Sequence, residues 1–326
     1  MNLPHLDQIA RAVLYEGYML YPYRPSSVKN RQRFNFGVLY PSAYENKFGN
    51  EPSSLRVEFL VRGNQETTVE SRVRFLHLLT RESSGEGGLS THPGTWQEAV
   101  EREVVLPSFS VSQATLSPIH HDFSFPACRD HQTQDHDHEI IFFQEALQGV
   151  MEVTAESLSE GLFKVTTVVS NTTQSESGDA GRDVILMRSL VSAHVIFGVE
   201  NGNFVSLLET PDNLRDAAQQ CQNSGVWPVL VGAPGQCDTL LASPIILYDY
   251  PQIAPESAGD LFDGTEIDEI LSLRIMTLTD EEKQEIRNSD ARARQILERT
   301  DSMPPEQFMK LHGVVRSLRP LKEDPV

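Results

Sequence analysis

Histidines and acidic residues are concentrated in one stretch of the chain, HHDFSFPACRDHQTQDHDHE, which begins at His120. Neutral imidazole and cysteine thiolate are good ligands for zinc, nickel or copper. His136 and His138 alternate, so in an extended segment both side chains could bind one ion from the same face. The stretch therefore predicts a transition-metal site with the ligands Cys128, His131, His136 and His138.

A second interpretation of this stretch is a solvated loop. The spacing Cys-x2-His-x4-His-x-His matches no tetrahedral zinc motif, and segments rich in His and Asp are often linkers. On this interpretation, residues 120–138 form a mobile loop that binds metal loosely and is dispensable for folding. Residues 83–94, rich in Gly and Ser, are predicted to form a second mobile loop.

The stretch SPIILYDYPQIAPESAGDLFDGTEIDEIL, which begins at Ser243, carries many acids and no base. Three explanations compete: a metal site, a solvated helix start and a docking edge for another protein. The acids do not fit the ligand positions of an EF-hand loop. Residues 263–269 instead resemble an acid-rich helix start, where carboxylates favour the positive end of the helix dipole. A proline-braced connection that leads to an acidic amphipathic helix suits partner binding, and the predicted partner-binding residues are Tyr248, Tyr250, Asp260, Asp263, Glu266, Asp268 and Glu269.

Motifs for catalysis are not evident in the sequence. Cys221 and Cys237 are too far apart for a Cys-x-x-Cys redox pair, and the glycine-rich turn at residues 232–236 lacks the Gly-Lys-Ser/Thr of a phosphate-binding loop. There is also no Gly-x-Ser-x-Gly elbow, His-Glu-x-x-His helix or kinase motif. We therefore predict no catalytic residue and no cofactor, apart from the transition metal considered above.

Composition restricts the class of partner. The 326 residues carry a formal net charge of −19, with 39% hydrophobic and 22% charged residues. Such a charge disfavours binding to nucleic acid and to anionic membrane surfaces, because both require clustered Lys and Arg. No apolar run approaches the roughly 20 residues that span a bilayer, and the N-terminus lacks the apolar stretch of a signal peptide. The expected location is the cytoplasm, which the three cysteines also favour because they form no disulfide framework.

Hydrophobic residues alternate with polar ones in several segments of the first half of the chain. SLRVEFLVRG and VESRVRFLHLL, on either side of a predicted turn at Gly63 and Asn64, show this period of two. Strands are also predicted at residues 14–23, 33–40, 162–170, 183–199 and 204–208. The absence of intervening helical segments predicts an α+β, mainly β fold: an antiparallel sandwich or open barrel with a short C-terminal helical region.

The period changes to that of helices near the C-terminus. Thr279 and Glu282 have the spacing of a capping box, and Asp290 can cap a second helix. Pro304 and Pro305 suit the first turn of a third. We therefore predict two domains: a β-rich body over residues 1–255 and an acidic linker with C-terminal helices over residues 256–326.

Four segments resemble a bacterial protein family encoded beside nickel–iron hydrogenases, particularly those of the high-affinity, hydrogen-scavenging kind. They lie at residues 15–41 (YEGYMLYPYRPSSVKNRQRFNFGVLYP), 223–232 (NSGVWPVLVG), 243–283, which include the acidic stretch, and 291–313 (ARARQILERTDSMPPEQFMKLHG). The two predicted loops lie outside the resemblance. The resemblance implies an accessory, assembly or maturation factor for a hydrogenase, and it carries over no catalytic residue.

The sequence thus favours a non-catalytic accessory protein that binds a hydrogenase subunit or another maturation factor. Two alternatives stay open. One is a protein that handles nickel or another metal through the His-rich stretch, and the other is a metal-dependent enzyme of unknown reaction.

Overall fold

The computed structural model describes residues 3–16, 18, 33–44, 51–84, 96–135, 138–174, 181–252, 268–288, 291–304 and 306. The chain divides into two compact units. The first consists of Met1–Gly17 and Phe34–Gln252, and the second of Tyr18–Arg33 and Ile253–Val326. Within the described residues, no helix is both long enough and apolar enough to cross a membrane.

The first unit is built on one large, open, antiparallel sheet of ten strands. The strands are β1 (Ser54–Ser84), β2 (Trp96–Ser110), β3 (Ile119–Phe125), β4 (Cys128–Asp135), β5 (His138–Gln144), β6 (Leu147–Ser159), β7 (Leu162–Asn171), β8 (Val191–Val205), β9 (Trp227–Leu230) and β10 (Thr239–Ser243). Short helices accompany them: α1 (Leu3–Tyr15), α2 (Val111–Leu116), α3 (Arg182–Leu186), a 3-10 turn (Asp212–Leu214) and α4 (Arg215–Ala218). The predicted fold class, mainly β and antiparallel with small C-terminal helices, is confirmed.

Strand β1 is the central strand of this sheet and pairs with four others. One edge of its 31 residues pairs first with β7 and then with β2. The opposite edge pairs with β8 and then with β5. The turn predicted at Gly63 and Asn64 is wrong: the chain continues, and the register with β8 shifts between Gly63 and Thr68. Thr67 stabilises this bulge, because its hydroxyl accepts from Asn64 N–H at 2.7 Å and donates to the Asn201 carbonyl at 2.7 Å.

The main apolar core lies on one face of the sheet and joins strands that are distant in sheet order. The Phe59 ring on β1 lies 4.5 Å from the Phe197 ring on β8, centroid to centroid. Further along β1, the Phe75 ring lies 6.1 Å from Phe123 and 5.9 Å from Phe125, both on β3. The sheet therefore curls until its β3 end packs against the second half of β1.

Helix α1 covers the other face of the sheet. Its buried residues Leu6, Ile9 and Val13 pack with Ile196 of β8 and Leu241 of β10. The strand predicted at residues 14–23 is thus wrong at its start, because α1 extends to Tyr15. Aromatic residues favour strands, but apolar side chains three and four residues apart decide this segment in favour of a helix.

A strand was also predicted at residues 33–40, and the structure shows only an isolated bridge there. Leu39 and Leu190 exchange two backbone hydrogen bonds, of 2.8 and 3.1 Å. Phe34 and Gly37 have positive φ angles of 59° and 52°, which interrupt an extended conformation. The segment therefore follows the start of β8 without becoming a regular strand.

Glu58 on β1 fixes the connection that precedes β9. Its carboxylate, only 3% exposed, accepts from Gln222 N–H at 2.7 Å, from the Thr166 hydroxyl at 3.1 Å and from the Arg56 guanidinium. Burial alone would raise the pKa of Glu58, but these hydrogen bonds and the Arg56 charge hold that pKa below its usual value. The ionised carboxylate therefore ties residue 222 to the sheet.

We expect Glu58→Gln to lower the free energy of unfolding by about 2 kcal/mol, because hydrogen bonds to a charged group are replaced by weaker neutral ones. Urea denaturation at pH 7 measures this loss. Glu66→Gln, at an exposed position of the same strand, is the control and should change stability by less than about 0.5 kcal/mol. Equal effects of the two substitutions would show that the Glu58 contacts contribute nothing.

The second unit contains helices α5 (Asp268–Met276), α6 (Asp280–Arg287) and α7 (Ala291–Asp301). The predicted capping box is confirmed: the Thr279 side chain accepts from Glu282 N–H, and the Glu282 side chain accepts from Thr279 N–H. Lys283 of α6 pairs with Asp301 of α7 at 2.7 Å. The predicted cap at Asp290 and most of the third predicted helix lie outside the described residues.

Candidate functional site

The His-rich stretch is not a loop where the structure describes it. Its residues lie in β3, β4 and the start of β5, and residues 136 and 137 lie outside the described part. Along β3, residues with more and less exposed side chains alternate strictly. This period of two was present in the sequence, but the many charged and imidazole side chains obscured it. The prediction of a mobile loop at residues 120–138 is therefore wrong for these strands, while most of the loop predicted at residues 83–94 lies outside the description.

The two proposed metal ligands on β4, Cys128 and His131, lie on opposite faces of the strand. Cys128 and His131 are exposed on β4, opposite Gln144 and Ile141 of β5. Residues three apart in a strand point to opposite faces, so these two side chains do not converge on one ion. The backbone of His138 on β5 pairs with that of Asp135 on β4, and His136 lies outside the described residues. Among the described residues no three His, Cys, Asp or Glu side chains cluster as metal ligands, so the metal site stays a prediction.

Cys221, which is half-buried, is unsuited to nucleophilic chemistry. Burial, reinforced by the nearby Glu58 charge, raises the pKa of Cys221 to about 11, so its thiol is protonated at neutral pH. Its sulfur lies 3.9 Å from the Ala217 carbonyl, at the end of α4. Cys221 therefore acts as a small packing residue.

A strap, defined as residues 244–250, leaves β10 and is anchored at both ends. At its start, Ser243 Oγ accepts from Ile245 N–H at 3.0 Å. At its end, the Asp249 carboxylate accepts from the Ser206 hydroxyl at 2.5 Å and from Leu230 N–H at 2.8 Å. Tyr250 N–H donates to the Leu230 carbonyl at 2.7 Å. The strap is therefore held at the ends of β8 and β9, the two strands that flank β10.

Side chains alternate along the strap between the core and the solvent. Ile245 and Leu247 pack against the apolar cluster beneath α1. Ile246 and Tyr248 point outward, with 72% and 86% of their surface exposed. Because the backbone on either side is anchored, these two apolar side chains are displayed at a fixed position.

The predicted partner-binding residues divide into three groups. Tyr248 is highly exposed, whereas Tyr250 is partly buried against the main core with a φ of 56°. Burial also raises the pKa of Tyr250. Asp268 and Glu269 begin α5 of the second unit, and Asp260, Asp263 and Glu266 lie outside the described residues. The structure thus leaves Tyr248 as the exposed member of the set in the first unit.

A cleft of about 250 Å³ lies beside the start of the strap. Phe36, Leu39, Tyr40, Leu55, Trp227 and Pro244 form its apolar wall. Asn35, Glu51 and Ser54 add polar side chains. Trp227 is 45% exposed at the beginning of β9, where it pairs with Ser243. The cleft and the outward face of the strap therefore meet at Pro244.

The backbone on both sides of the cleft wall includes residues in strained conformations. Phe34, next to the wall, and Ser192, next to lining residue Ala193, have positive φ angles of 59° and 54°. Left-handed conformations of such residues cost about 1–3 kcal/mol each and concentrate at functional sites. Gly37, in the wall itself, has no space for a side chain, since a Cβ atom there would meet the Pro244 ring at 2.7 Å. The wall is therefore shaped by close contact with the strap.

The polar end of the cleft is formed around Tyr40. Burial raises the pKa of the Tyr40 hydroxyl, and the nearby Arg182 charge offsets part of this effect. The Arg182 guanidinium donates to the Phe34 carbonyl at 2.9 Å and to Asn35 Oδ1 at 2.7 Å. Among the described residues, the Glu51 carboxylate forms neither a hydrogen bond nor an ion pair.

The sequence did not indicate this cleft. Its lining comes from five separate segments, and the tertiary structure brings them together. The one local indication was the pair Trp227-Pro228 in a short apolar strand. There a large aromatic side chain precedes a proline, which has no N–H to donate to a neighbouring strand.

No protein-family model matches the chain, and a comparison with curated proteins finds no match either.

Proposed function

We propose that this protein is a non-catalytic accessory or assembly factor of a nickel–iron hydrogenase system. It acts in the cytoplasm and binds a hydrogenase subunit through the strap and the adjoining cleft. The two parts of this proposal have different support. The strap supports docking, and the resemblance of residues 15–41, 223–232, 243–283 and 291–313 to proteins encoded beside hydrogenases supports the choice of partner.

The observation that carries the docking function is the exposure of Ile246 and Tyr248 on an anchored backbone. Exposed apolar side chains on a mobile loop would lose conformational entropy on binding. Here Asp249 and Tyr250 already hold the segment through hydrogen bonds to Ser206 and Leu230, and Ser243 Oγ fixes its start by accepting from Ile245 N–H. Tyrosine is also among the residues enriched in binding hot spots. The strap is thus preorganised for association.

The cleft and the strap together fit a peptide or loop of the partner better than a substrate. Catalytic sites bring together acids, bases or nucleophiles. Among the described residues, the cleft instead combines apolar side chains with the carboxylate of Glu51, which forms no ion pair there. Cys221, which lies outside the cleft, has a protonated thiol. The alternatives of a metal-handling protein and a metal-dependent enzyme gain no support from this surface.

The test is co-purification from a bacterium that produces both this protein and its hydrogenase. We expect the double substitution Ile246→Ser and Tyr248→Ser to reduce the recovery of hydrogenase subunits at least tenfold, as loss of a binding hot spot of about 2 kcal/mol would do. Leu116→Ser is the matched control, because Leu116 on α2 is also 86% exposed. It should leave recovery unchanged.

Thermal unfolding of the purified variants completes the test. All the substituted side chains are exposed, so their replacement should change stability by less than about 0.5 kcal/mol. Equal recovery of hydrogenase subunits with the double variant and with the wild type would refute docking through the strap. Recovery of another maturation factor in place of a hydrogenase subunit would keep the surface and overturn the choice of partner.

A further inference from the structure

We infer that the cleft at Glu51 and Trp227 binds a cationic side chain, an arginine or a lysine, supplied by the protein that docks on the strap. The inference rests on the proposed function for the source of this side chain. The chemistry of the site itself rests on the cleft.

The size of the cleft fits one side chain. Sites for drug-sized molecules occupy roughly 300–1,000 Å³, whereas this cleft measures about 250 Å³. One long side chain can enter such a space while the backbone of its protein remains on the surface. Pro244 lines the cleft and begins the strap, so a chain that lies along Ile246 and Tyr248 can place a side chain into it.

The lining of the cleft favours a positive charge on an apolar stem. The Trp227 and Tyr40 rings line the cleft, and indole is the ring that binds cations most strongly. The Glu51 carboxylate, with no ion pair among the described residues, supplies the negative charge. The alkyl part of lysine or arginine would pack against apolar residues such as Leu55 and Pro244.

Arg182 is not the cation that would pair with Glu51 in the cleft. Its guanidinium donates to the Phe34 carbonyl and to Asn35 Oδ1. Its charge also faces the buried Tyr40 hydroxyl. Arg182 thus holds Phe34 and Asn35 in place, while Glu51 lines the cleft and forms no ion pair with any described residue.

The net charge of the chain agrees with a basic ligand. A formal charge of −19 attracts positively charged groups over long range and raises their association rate. It gives no specificity by itself. The cleft adds specificity because it combines an aromatic ring and a carboxylate in a space of limited size.

Trp227 provides a direct measurement. The chain has two tryptophans, so Trp96→Phe leaves Trp227 as the single fluorescent reporter. We expect N-acetyl-L-arginine amide to change its emission saturably. N-acetyl-L-citrulline amide, which has nearly the same shape and no charge, should bind about tenfold more weakly.

Glu51→Gln, in the Trp96→Phe background, should weaken binding of the arginine amide about threefold to fivefold and leave binding of the citrulline amide unchanged. Glu160→Gln makes the same charge change at an exposed position between β6 and β7, and it should have no effect. Equal binding of the charged and neutral amides, or equal binding by the Glu51 and Glu160 variants, would overturn the inference.

This titration needs no partner protein, so its result is separate from the co-purification. A failed titration with strap-dependent co-purification would overturn the cation site and keep the proposed function. A successful titration without co-purification would keep the cation site and overturn the hydrogenase partner.

Discussion

Acidification from pH 7 to pH 4 should lower the free energy of unfolding of the first unit by about 3 kcal/mol for each of two buried histidines. Burial, followed by the nearby Arg102 charge, lowers the pKa of His77 to about 4. Burial also lowers the pKa of His194 to about 4, although its Nδ1 lies 3.1 Å from the Ser192 carbonyl. Both histidines are therefore neutral in the folded protein at pH 7.

The direction of the effect follows from the proton count. The usual histidine pKa is 6.5, and both folded values lie below it. Between pH 6.5 and pH 4 the unfolded chain binds protons that the folded protein does not. The stabilisation is therefore complete above pH 6.5 and is lost as the pH falls to about 4.

Urea denaturation at a series of pH values between 7 and 4 measures this loss. His77→Leu and His194→Leu should each flatten the curve, because each removes one of the buried imidazoles. Ser124→Ala, which changes an exposed side chain of β3 that carries no charge, should leave the curve unchanged. If both leucine variants lost stability with falling pH as steeply as the wild type, the two histidines would not be the cause of the loss. Some loss should remain in every variant, because the lowered pKa of Glu58 also makes the folded protein less stable as the pH falls.

Phe59→Ala, a substitution in the main core, should lower the free energy of unfolding by about 3–5 kcal/mol. The Phe59 side chain is fully buried, and its ring lies 4.5 Å from Phe197 and 5.4 Å from Phe204. Both partners belong to β8, so the ring fastens the first half of β1 to that strand. The remaining cavity would be lined by rings that cannot easily collapse into it.

Guanidinium denaturation at pH 7 tests this prediction. Val105→Ala on β2 is the control, since that side chain is 41% exposed, and its replacement should cost less than about 1 kcal/mol. A loss below about 1 kcal/mol for Phe59→Ala would mean that neighbouring side chains refill the site. Folded domains are stable by about 5–15 kcal/mol in total, so the expected loss is a large part of the whole.

The fold class could be predicted because alternation is a local property. Segments such as SLRVEFLVRG and LFKVTTVVSN carry it plainly, and they form β1 and β7. The uninterrupted length of β1 could not be predicted, since Gly63 and Asn64 favour a turn, whereas long-range contacts such as that of Thr67 with Asn201 stabilise the continuous strand. Helix α1 was missed because Tyr15 and the tyrosines that follow it in the sequence outweighed the spacing of Leu6, Ile9 and Val13.

The candidate site could be predicted only in part. Tyr248 was identified from the sequence, and its high exposure is consistent with a docking role. The anchoring of the strap depends on Ser206, Leu230 and Asp249, which are brought together by the ends of two strands. The cleft depends in the same way on residues 35–40 and 51–55 meeting Trp227 and Pro244. Contacts between segments so distant in sequence cannot be predicted from a local sequence pattern.

The central position of β1 has a consequence for how the chain folds during synthesis. Val73 of β1 pairs with Val195 of β8, and Val57 pairs with Thr167 of β7. A growing chain therefore completes β1 long before most of its partners leave the ribosome. Pairing over such sequence distances is slow, and an unpaired strand edge is a template for other chains. β1 is thus the segment through which incomplete chains would associate, and the one that a chaperone would most usefully cover.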